Sequence, residues 1–358
     1  MAEAGEDSVD LGFAEKCEDD FRMLGISYPS KLGGKPAWLR WDSLLTESQA
    51  RCNNCDTILH FLCQIYVPTD IEEKHYHRTL YVFCCSNGKC YSSKKQCVKV
   101  FRSLQEESED DLTEDDLDKK AEEELRKMFE SKQALWTLCE VCSLNGNKKC
   151  SLCHDTYYCS KEHQAFDWKF NKHKKNCKDR GTIAIISTKN KFLFDEYEIV
   201  IEEEPKKKEN SKNNNIGGID ESRLKELMSD GKQDLDKELE KEFNKATANT
   251  RDEYFEKFKK RINREPDQII RYDLGGIPLW VSSEKIPFDK DIPKCSCGSK
   301  RQYEFQILPQ MLNYLGIETT VDSIDWGTLC IYTCINNCNE SAYHEEFVWK
   351  QDFSFINI

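Results

Sequence analysis

Apolar and polar positions along this chain follow two periods. In the first hundred residues the runs are short and β-like. Residues 9–13 predict a short strand containing a Gly. Residues 58–67 and 79–83 are rich in β-branched and aromatic residues, and 98–102 predicts another strand. Residues 192–201 alternate and predict a strand later in the chain. Helical spacing occurs in three places. Residues 161–175 lack Pro and Gly and carry Phe166 and Phe170 four apart. Residues 221–246 are charged, with Leu235, Leu239 and Phe243 spaced by four. Thr250 and Glu253 fit a capping box, opening a helix with Phe255, Phe258 and Ile262 on one face.

Two stretches lack such a pattern. Between Glu106 and Glu124, twelve of nineteen positions are Asp or Glu and none is aromatic, which predicts a solvated linker. A second reading of it is an acidic lure for a basic client. Residues 205–215 are polar and rich in Lys and Asn, which predicts a disordered loop. Within them, Pro205-Lys206-Lys207-Lys208 is a weak nuclear signal or simply a solvated run.

The chemistry lies in the cysteines. From Cys139 onward come Cys139-x₂-Cys142, Cys150-x₂-Cys153, Cys159-x₃-His163 and His173-x₃-Cys177. Zinc prefers four Cys sulfur and His nitrogen ligands, so these eight residues fill two closed sites. Residues four apart on a helix share a face, so each of the last two pairs can grip one ion.

The two ends of the chain repeat each other. Gly33-Gly34-Lys35-Pro36-Ala37-Trp38 matches Gly275-Gly276-Ile277-Pro278-Leu279-Trp280. A Cys pair follows 14 residues after Trp38 (Cys52, Cys55) and 15 after Trp280 (Cys295, Cys297). Gln64-Ile65 and Gln306-Ile307 each lie nine residues after that pair, and Thr79-Leu80 and Thr328-Leu329 each lie six before Cys85 and Cys334. Cys90 and Cys338 complete the second pairs, and Phe101-Arg102 and Phe347-Val348-Trp349-Lys350 close the copies. The alignment selects Cys85 rather than Cys84. It predicts one structural zinc per copy, on Cys52, Cys55, Cys85 and Cys90 and on Cys295, Cys297, Cys334 and Cys338. Cys17, Cys63, Cys84, Cys97 and Cys330 are left as small core residues. His60, His75, His77 and His344 read as surface or core histidines, and Trp38 and Trp280 as packing anchors.

Composition narrows the class. The 358 residues carry a formal net charge of −13, which disfavours phosphate-backbone binding and suits a basic partner. The N-terminus has neither a basic nor an apolar signal region, and no apolar run approaches the roughly 18 residues of a membrane span. Nineteen Cys in paired spacing then point to zinc thiolates rather than disulfides.

The expected fold is α+β and β-rich. Two homologous zinc-stabilised β halves form one composite body, with a zinc finger and charged linkers inserted. Its expected divisions are an N-terminal half (1–104), an acidic linker (105–134), the finger (135–178), a strand segment (179–204), a charged linker and helix (205–249) and a C-terminal half (250–358).

The finger, with Tyr157-Tyr158-Cys159-Ser160-Lys161-Glu162-His163-Gln164 and Trp168, resembles a MYND-type zinc finger. That resemblance implies interleaved pairs. One ion takes Cys139, Cys142, Cys159 and His163; the other takes Cys150, Cys153, His173 and Cys177. The interval from His163 to His173 is longer than the family pattern. The whole layout resembles the programmed cell death 2 family. The match rests on Leu11-Gly12-Phe13, the segment from Pro29 through Trp38 to Leu39, and the finger. It continues through Glu265-Pro266-Asp267-Gln268-Ile269-Ile270-Arg271-Tyr272, Asp291-Ile292-Pro293, Glu304-Phe305-Gln306 and Pro309-Gln310-Met311-Leu312-Asn313-Tyr314-Leu315. It closes with Ser323-Ile324-Asp325-Trp326-Gly327 and Glu346-Phe347-Val348-Trp349-Lys350-Gln351-Asp352.

The resemblance implies a chaperone. It would escort a newly made, basic small-subunit ribosomal protein of the universal S-five family and support 40S ribosome biogenesis. Exposed sheet edges and acidic runs would shield the client. The alternative is a MYND-mediated adaptor in transcription or apoptosis signalling, its finger taking Pro-rich peptides. No catalytic signature and no open metal position is present, so no enzyme is expected, and direct DNA binding is disfavoured. The expected location is cytoplasm and nucleus, with the nucleolus as a further option. Cys159→Ser is expected to unfold the finger and spare the outer body, and Cys297→Ser to destabilise that body.

Overall fold

The computed structural model describes residues 9–17, 20–93, 95–108, 111, 120, 122–133, 136–171, 173–177, 190–205, 252–317 and 323–353. The N-terminal strands are β1 (Asp10–Glu15), β2 (Lys31–Leu32), β3 (His60–Tyr66), β4 (Thr69–Ile71), β5 (Lys74–Cys84) and β6 (Val98–Glu106). The finger holds β7 (Lys148–Lys149) and β8 (Tyr157–Tyr158). Then come β9 (Tyr197–Glu203), β10 (Gln268–Tyr272), β11 (Arg301–Ile307), β12 (Thr328–Cys334) and β13 (His344–Gln351). The α-helices among the described residues are α1 (Glu122–Gln133), α2 (Lys161–Lys169), α3 (His173–Asn176) and α4 (Glu253–Ile262).

Ten strands close into a barrel in the order β3-β2-β9-β1-β10-β11-β12-β13-β6-β5, with β5 pairing back to β3 and β4 attached to β5. Closure gives each ring strand a neighbour on both sides. No ring strand is therefore a free edge over its whole length, although β6 and β13 pair only through Val100, Phe101 and Arg102 against Glu346, Glu345 and His344. The short strand β4 is an edge among the described residues.

The repeat is written into the register. The β3–β5 ladder skips a residue between Phe61 and Cys63, and the β11–β12 ladder skips one between Tyr303 and Phe305. Each bulge lies two residues before the repeated Gln. The Gln64 amide accepts from Ala37 N at 2.9 Å and donates to Ala37 O at 3.3 Å. The Gln306 amide does the same for Leu279, at 2.6 and 3.0 Å. One device thus lays Pro36-Ala37-Trp38 and Pro278-Leu279-Trp280 over equivalent strands. Both segments enter through a Gly in the left-handed region, Gly33 at φ +65° and Gly275 at φ +77°, which a Cβ would strain. The halves join along β6 and β13, where Glu346 faces Val100 and Glu345 faces Phe101. Continued one step, this register sets Phe347 opposite Lys99, which are equivalent positions of the repeat. A pair centred on equivalent residues is the signature of a two-fold axis.

Charges are buried at the junction. Arg78 grips Glu304 through both guanidinium nitrogens at 2.5 and 2.7 Å, and Tyr272 and Thr333 donate to the same carboxylate. Burial opposes the charge on Glu304, but Arg78 and these donors hold its carboxyl below the ordinary range. Arg102 donates to Glu346 at 2.8 Å, and Arg301 to its other oxygen at 2.9 Å. Arg78 and Arg102 of the N-terminal half thus each meet a Glu of the C-terminal half.

Four local expectations change. Residues 161–175 form two helices, because one straight helix would turn His163 and His173 about 80° apart and separate them by about 15 Å. The break at Phe170 and Asn171 re-aims His173 toward its own partners. The strand expected over 192–201 starts only at Tyr197, while Phe192 and Phe194 turn into the core. Asp252 caps α4, accepting from Tyr254 N at 2.9 Å, while Thr250 of the expected capping box lies outside the described residues. The acidic linker carries α1, and one of its acids, Asp111, is held against the barrel. Residues 206–215 and 221–246 lie outside the described residues.

Candidate metal centres

Four groups of thiol and imidazole donors come together, each with its ligand atoms within 4.8 Å of one another. They are Cys52, Cys55, Cys85, Cys90; Cys139, Cys142, Cys159, His163; Cys150, Cys153, His173, Cys177; and Cys295, Cys297, Cys334, Cys338. A tetrahedral zinc with bonds of about 2.3 Å requires sulfur–sulfur edges of about 3.8 Å. Cys55–Cys85 and Cys142–Cys159 are 3.6 Å apart, Cys150–Cys177 3.8 Å, and Cys297–Cys334 3.6 Å. His163 Nδ1 lies 3.2 Å from Cys159 Sγ, and His173 Nε2 3.4 Å from Cys150 Sγ. These spacings are too long for disulfides and match tetrahedron edges. The finger and the clusters are compatible with bound zinc ions.

Local structure delivers each donor. Ser160 caps α2, accepting from His163 N at 3.1 Å, and so points His163 at Cys159. In the N-terminal outer cluster, Asn54 N and Asn87 N each donate to a thiol two residues back, Cys52 and Cys85, at 3.4 Å. Asn54 Nδ2 adds a bond to Cys90 at 3.2 Å. Such donors favour thiolates.

The C-terminal outer cluster has a further neighbour. His344 Nε2 lies 3.1 Å from Cys295 Sγ and 3.8 Å from Cys338 Sγ. The sequence reads His344 as an ordinary surface or core histidine. The available signal was its position six residues after Cys338. The C-terminal cluster is also more open, with Cys297 exposed.

The remaining cysteines differ. Cys63, Cys84, Cys97 and Cys330 are buried, and burial pushes the Cys84 and Cys97 thiols up to about 12. Burial also raises the thiols of Cys63 and Cys330, so these four behave as neutral core groups. Cys17 is half-buried.

The finger is fused to the barrel. Trp38, stacked on Phe83 with Tyr81 tilted and Tyr343 edge-on against it, donates its indole N–H to Ser143 O at 2.7 Å. Lys35 reaches Glu140 O at 2.7 Å, Asn145 N reaches Leu45 O at 2.9 Å, and Lys148 reaches Glu47 at 2.8 Å. Phe192 bridges the two, touching His163 and Phe166 on one side and His60 on the other. Val141, Leu144, Tyr158 and Phe166 belong to the same apolar core as the barrel strands. Loss of the finger would expose that core, so Cys159→Ser is now expected to loosen the barrel as well as unfold the finger.

Fold and site define a zinc-finger-bearing β-barrel built from a repeat. Family models agree: the N-terminal domain of Programmed cell death protein 2 matches residues 8–119, its C-terminal domain residues 252–352, and a MYND finger residues 139–177. Programmed cell death protein 2 of Bos taurus is 37% identical over 356 residues, spanning 99% of both chains. Programmed cell death protein 2-like of Homo sapiens is 26% identical over 349 residues, spanning 90% of each. "Probable 20S rRNA accumulation protein 4" of Schizosaccharomyces pombe is 31% identical over 111 residues, 28% of this chain and 27% of that one. No solved structure matches. The chain belongs to the programmed cell death protein 2 family.

Proposed function

We propose that this protein escorts a newly made, basic small-subunit ribosomal protein of the universal S-five family and thereby supports 40S ribosome biogenesis. The observation that carries the reading is charge. A chain of net charge −13, with an acidic tract leaving the barrel at β6, complements a strongly basic client. The fission-yeast relative's name, which refers to 20S rRNA, points the same way. Because the ring is closed, the client is held on the outer surface and by acidic side chains rather than as an added barrel strand. The sixteen clustered Cys and His residues hold four structural zinc ions, two in the finger and one in each half. The protein acts by binding, in cytoplasm and nucleus.

A second reading has its own observation. Phe170 and Leu152 stand 55% and 59% exposed on the finger, a surface suited to a short Pro-rich peptide in an adaptor. A tagged pull-down under RNase separates the two, comparing the full chain with a Phe170→Ala/Leu152→Ala variant. The escort reading expects one basic ribosomal protein at near-stoichiometric yield in both samples. Diverse partners that vanish with the two exposed residues would replace it with the adaptor reading.

A further inference from the structure

The acidic tract does not simply leave the barrel. Glu107 N donates to His75 O at 3.0 Å, and Ser108 N and Oγ donate to one oxygen of Asp111 at 2.7 and 3.1 Å. Asp111 is in turn seated on an aromatic shelf. Tyr28 OH donates to its other oxygen at 3.2 Å, and His77 Nε2 lies 3.3 Å away, close enough for an ion pair but not aligned for a hydrogen bond. Tyr28 stacks on His77 with centroids 4.0 Å apart, and Tyr66 OH meets His77 Nδ1 at 2.9 Å. The Asp111 side chain is only 10% exposed, whereas Ser108 is exposed. Tyr28 holds a left-handed backbone, φ +47°, at this shelf.

Ser108 is followed directly by Glu109, Asp110 and Asp111. Carboxylates at the three positions after a Ser are what a kinase with a basic substrate groove recognises. We propose that Ser108 is a phosphorylation site for an acid-directed Ser/Thr kinase, and that its phosphate releases the acidic tract from the Tyr28–His77–Tyr66 shelf. In the transfer, Ser108 Oγ forms a bond to the γ-phosphorus of ATP. The bond from that phosphorus to the β,γ-bridging oxygen breaks, ADP leaves, and the hydroxyl proton passes to the kinase's base.

The product has lost the Oγ–H that bonded Asp111. It has gained a charge of about −1.5 to −2 beside a carboxylate, an arrangement that disrupts by like-charge repulsion. Asp111 is also part of the recognition sequence, so the kinase takes only the chain in which Asp111 has lifted off the shelf. Docking and phosphorylation therefore oppose each other, and the linkage runs both ways. Removing the Tyr28 hydroxyl weakens docking and speeds the transfer.

The test uses the full zinc-loaded chain, ATP and casein kinase 2, with sites mapped by mass spectrometry and amide exchange read over residues 105–111. The expected result is a phosphate on Ser108 that is absent from Ser108→Ala, faster incorporation into Tyr28→Phe, and amide exchange about tenfold faster in the phosphorylated chain. Phosphate found on Thr113 alone, or none at all, overturns the site. Phosphate on Ser108 with unchanged exchange overturns the release.

Discussion

The two halves of the barrel share a plan and differ in what covers them. In the N-terminal half, Trp38 is 1% exposed because the finger sits on it and accepts its indole N–H. In the C-terminal half, Trp280 is also buried, at 8% exposed, packing on the equivalent strand positions Cys330 and Tyr332 with Ile286 and Ile292 against them, and among the described residues no finger lies over it. At the position where Lys35 reaches the finger, the C-terminal half presents Ile277, 83% exposed. The outer metal clusters follow suit. Backbone amides reach thiols in both, but the C-terminal one has Cys297 at the surface and His344 and Arg102 beside its sulfurs. The repeat accounts for the barrel, and the inserted finger accounts for the asymmetry.

That comparison can be broken at the tryptophans first. Trp38→Ala should cost about 5 kcal/mol and loosen the finger, while Trp280→Ala should cost about 3 kcal/mol and leave the finger's amide exchange unchanged. Equal losses in urea unfolding would argue against the cap. The junction between the halves comes next. Glu304→Ala strands Arg78 and should cost about 4 kcal/mol, whereas an apolar replacement of both residues should cost far less. A double-mutant cycle by chemical denaturation reads the difference.

His60 distinguishes the halves by pH, since Gln302 holds the equivalent place in the C-terminal half. Burial between the barrel and Phe192 and Phe194 pushes the His60 imidazole down to about 4. The unfolded chain takes up this proton near pH 6.5 and the folded chain only near 4. Stability should therefore be full above 6.5 and fall by about 1.4 kcal/mol per unit down to 4. His60→Phe should flatten that slope relative to the wild type in urea midpoints at pH 7.5 and 5. Identical slopes would remove His60 from the account. Chelation sharpens the contrast further: the exposed C-terminal cluster should release its ion before the N-terminal one, seen as earlier alkylation of Cys297 than of Cys55. The smallest effect is at the cap, where Asp252→Ala should cost about 1 kcal/mol, measured by thermal unfolding.

Much of this was legible in the chain. Spacing marked the donor pairs, the repeat alignment joined the outer ones, and the resemblance to a MYND finger supplied the interleaving that the finger's two clusters show. The repeated Gln64 and Gln306 marked equivalent strands, and their amide clamps bear that alignment out. What was not legible is long-range. Barrel closure depends on β9 and β1 lying between β2 and β10, which no local pattern encodes. The docking of the finger runs through backbone carbonyls of Glu140 and Ser143, groups that every residue carries. His344 escaped because it is six residues from Cys338, outside the short spacings that mark ligand pairs. The helix over 161–175 was read from composition, whereas the geometry of two metal clusters divides it.

The central claim is that finger and barrel form one cooperative unit. Hydrogen exchange on Cys159→Ser, with zinc counted per chain, tests it most directly. The account predicts loss of finger zinc together with lowered protection in β3 and β5, far from the substituted thiol in sequence. A variant that loses finger zinc while β3 and β5 keep their full protection would contradict it.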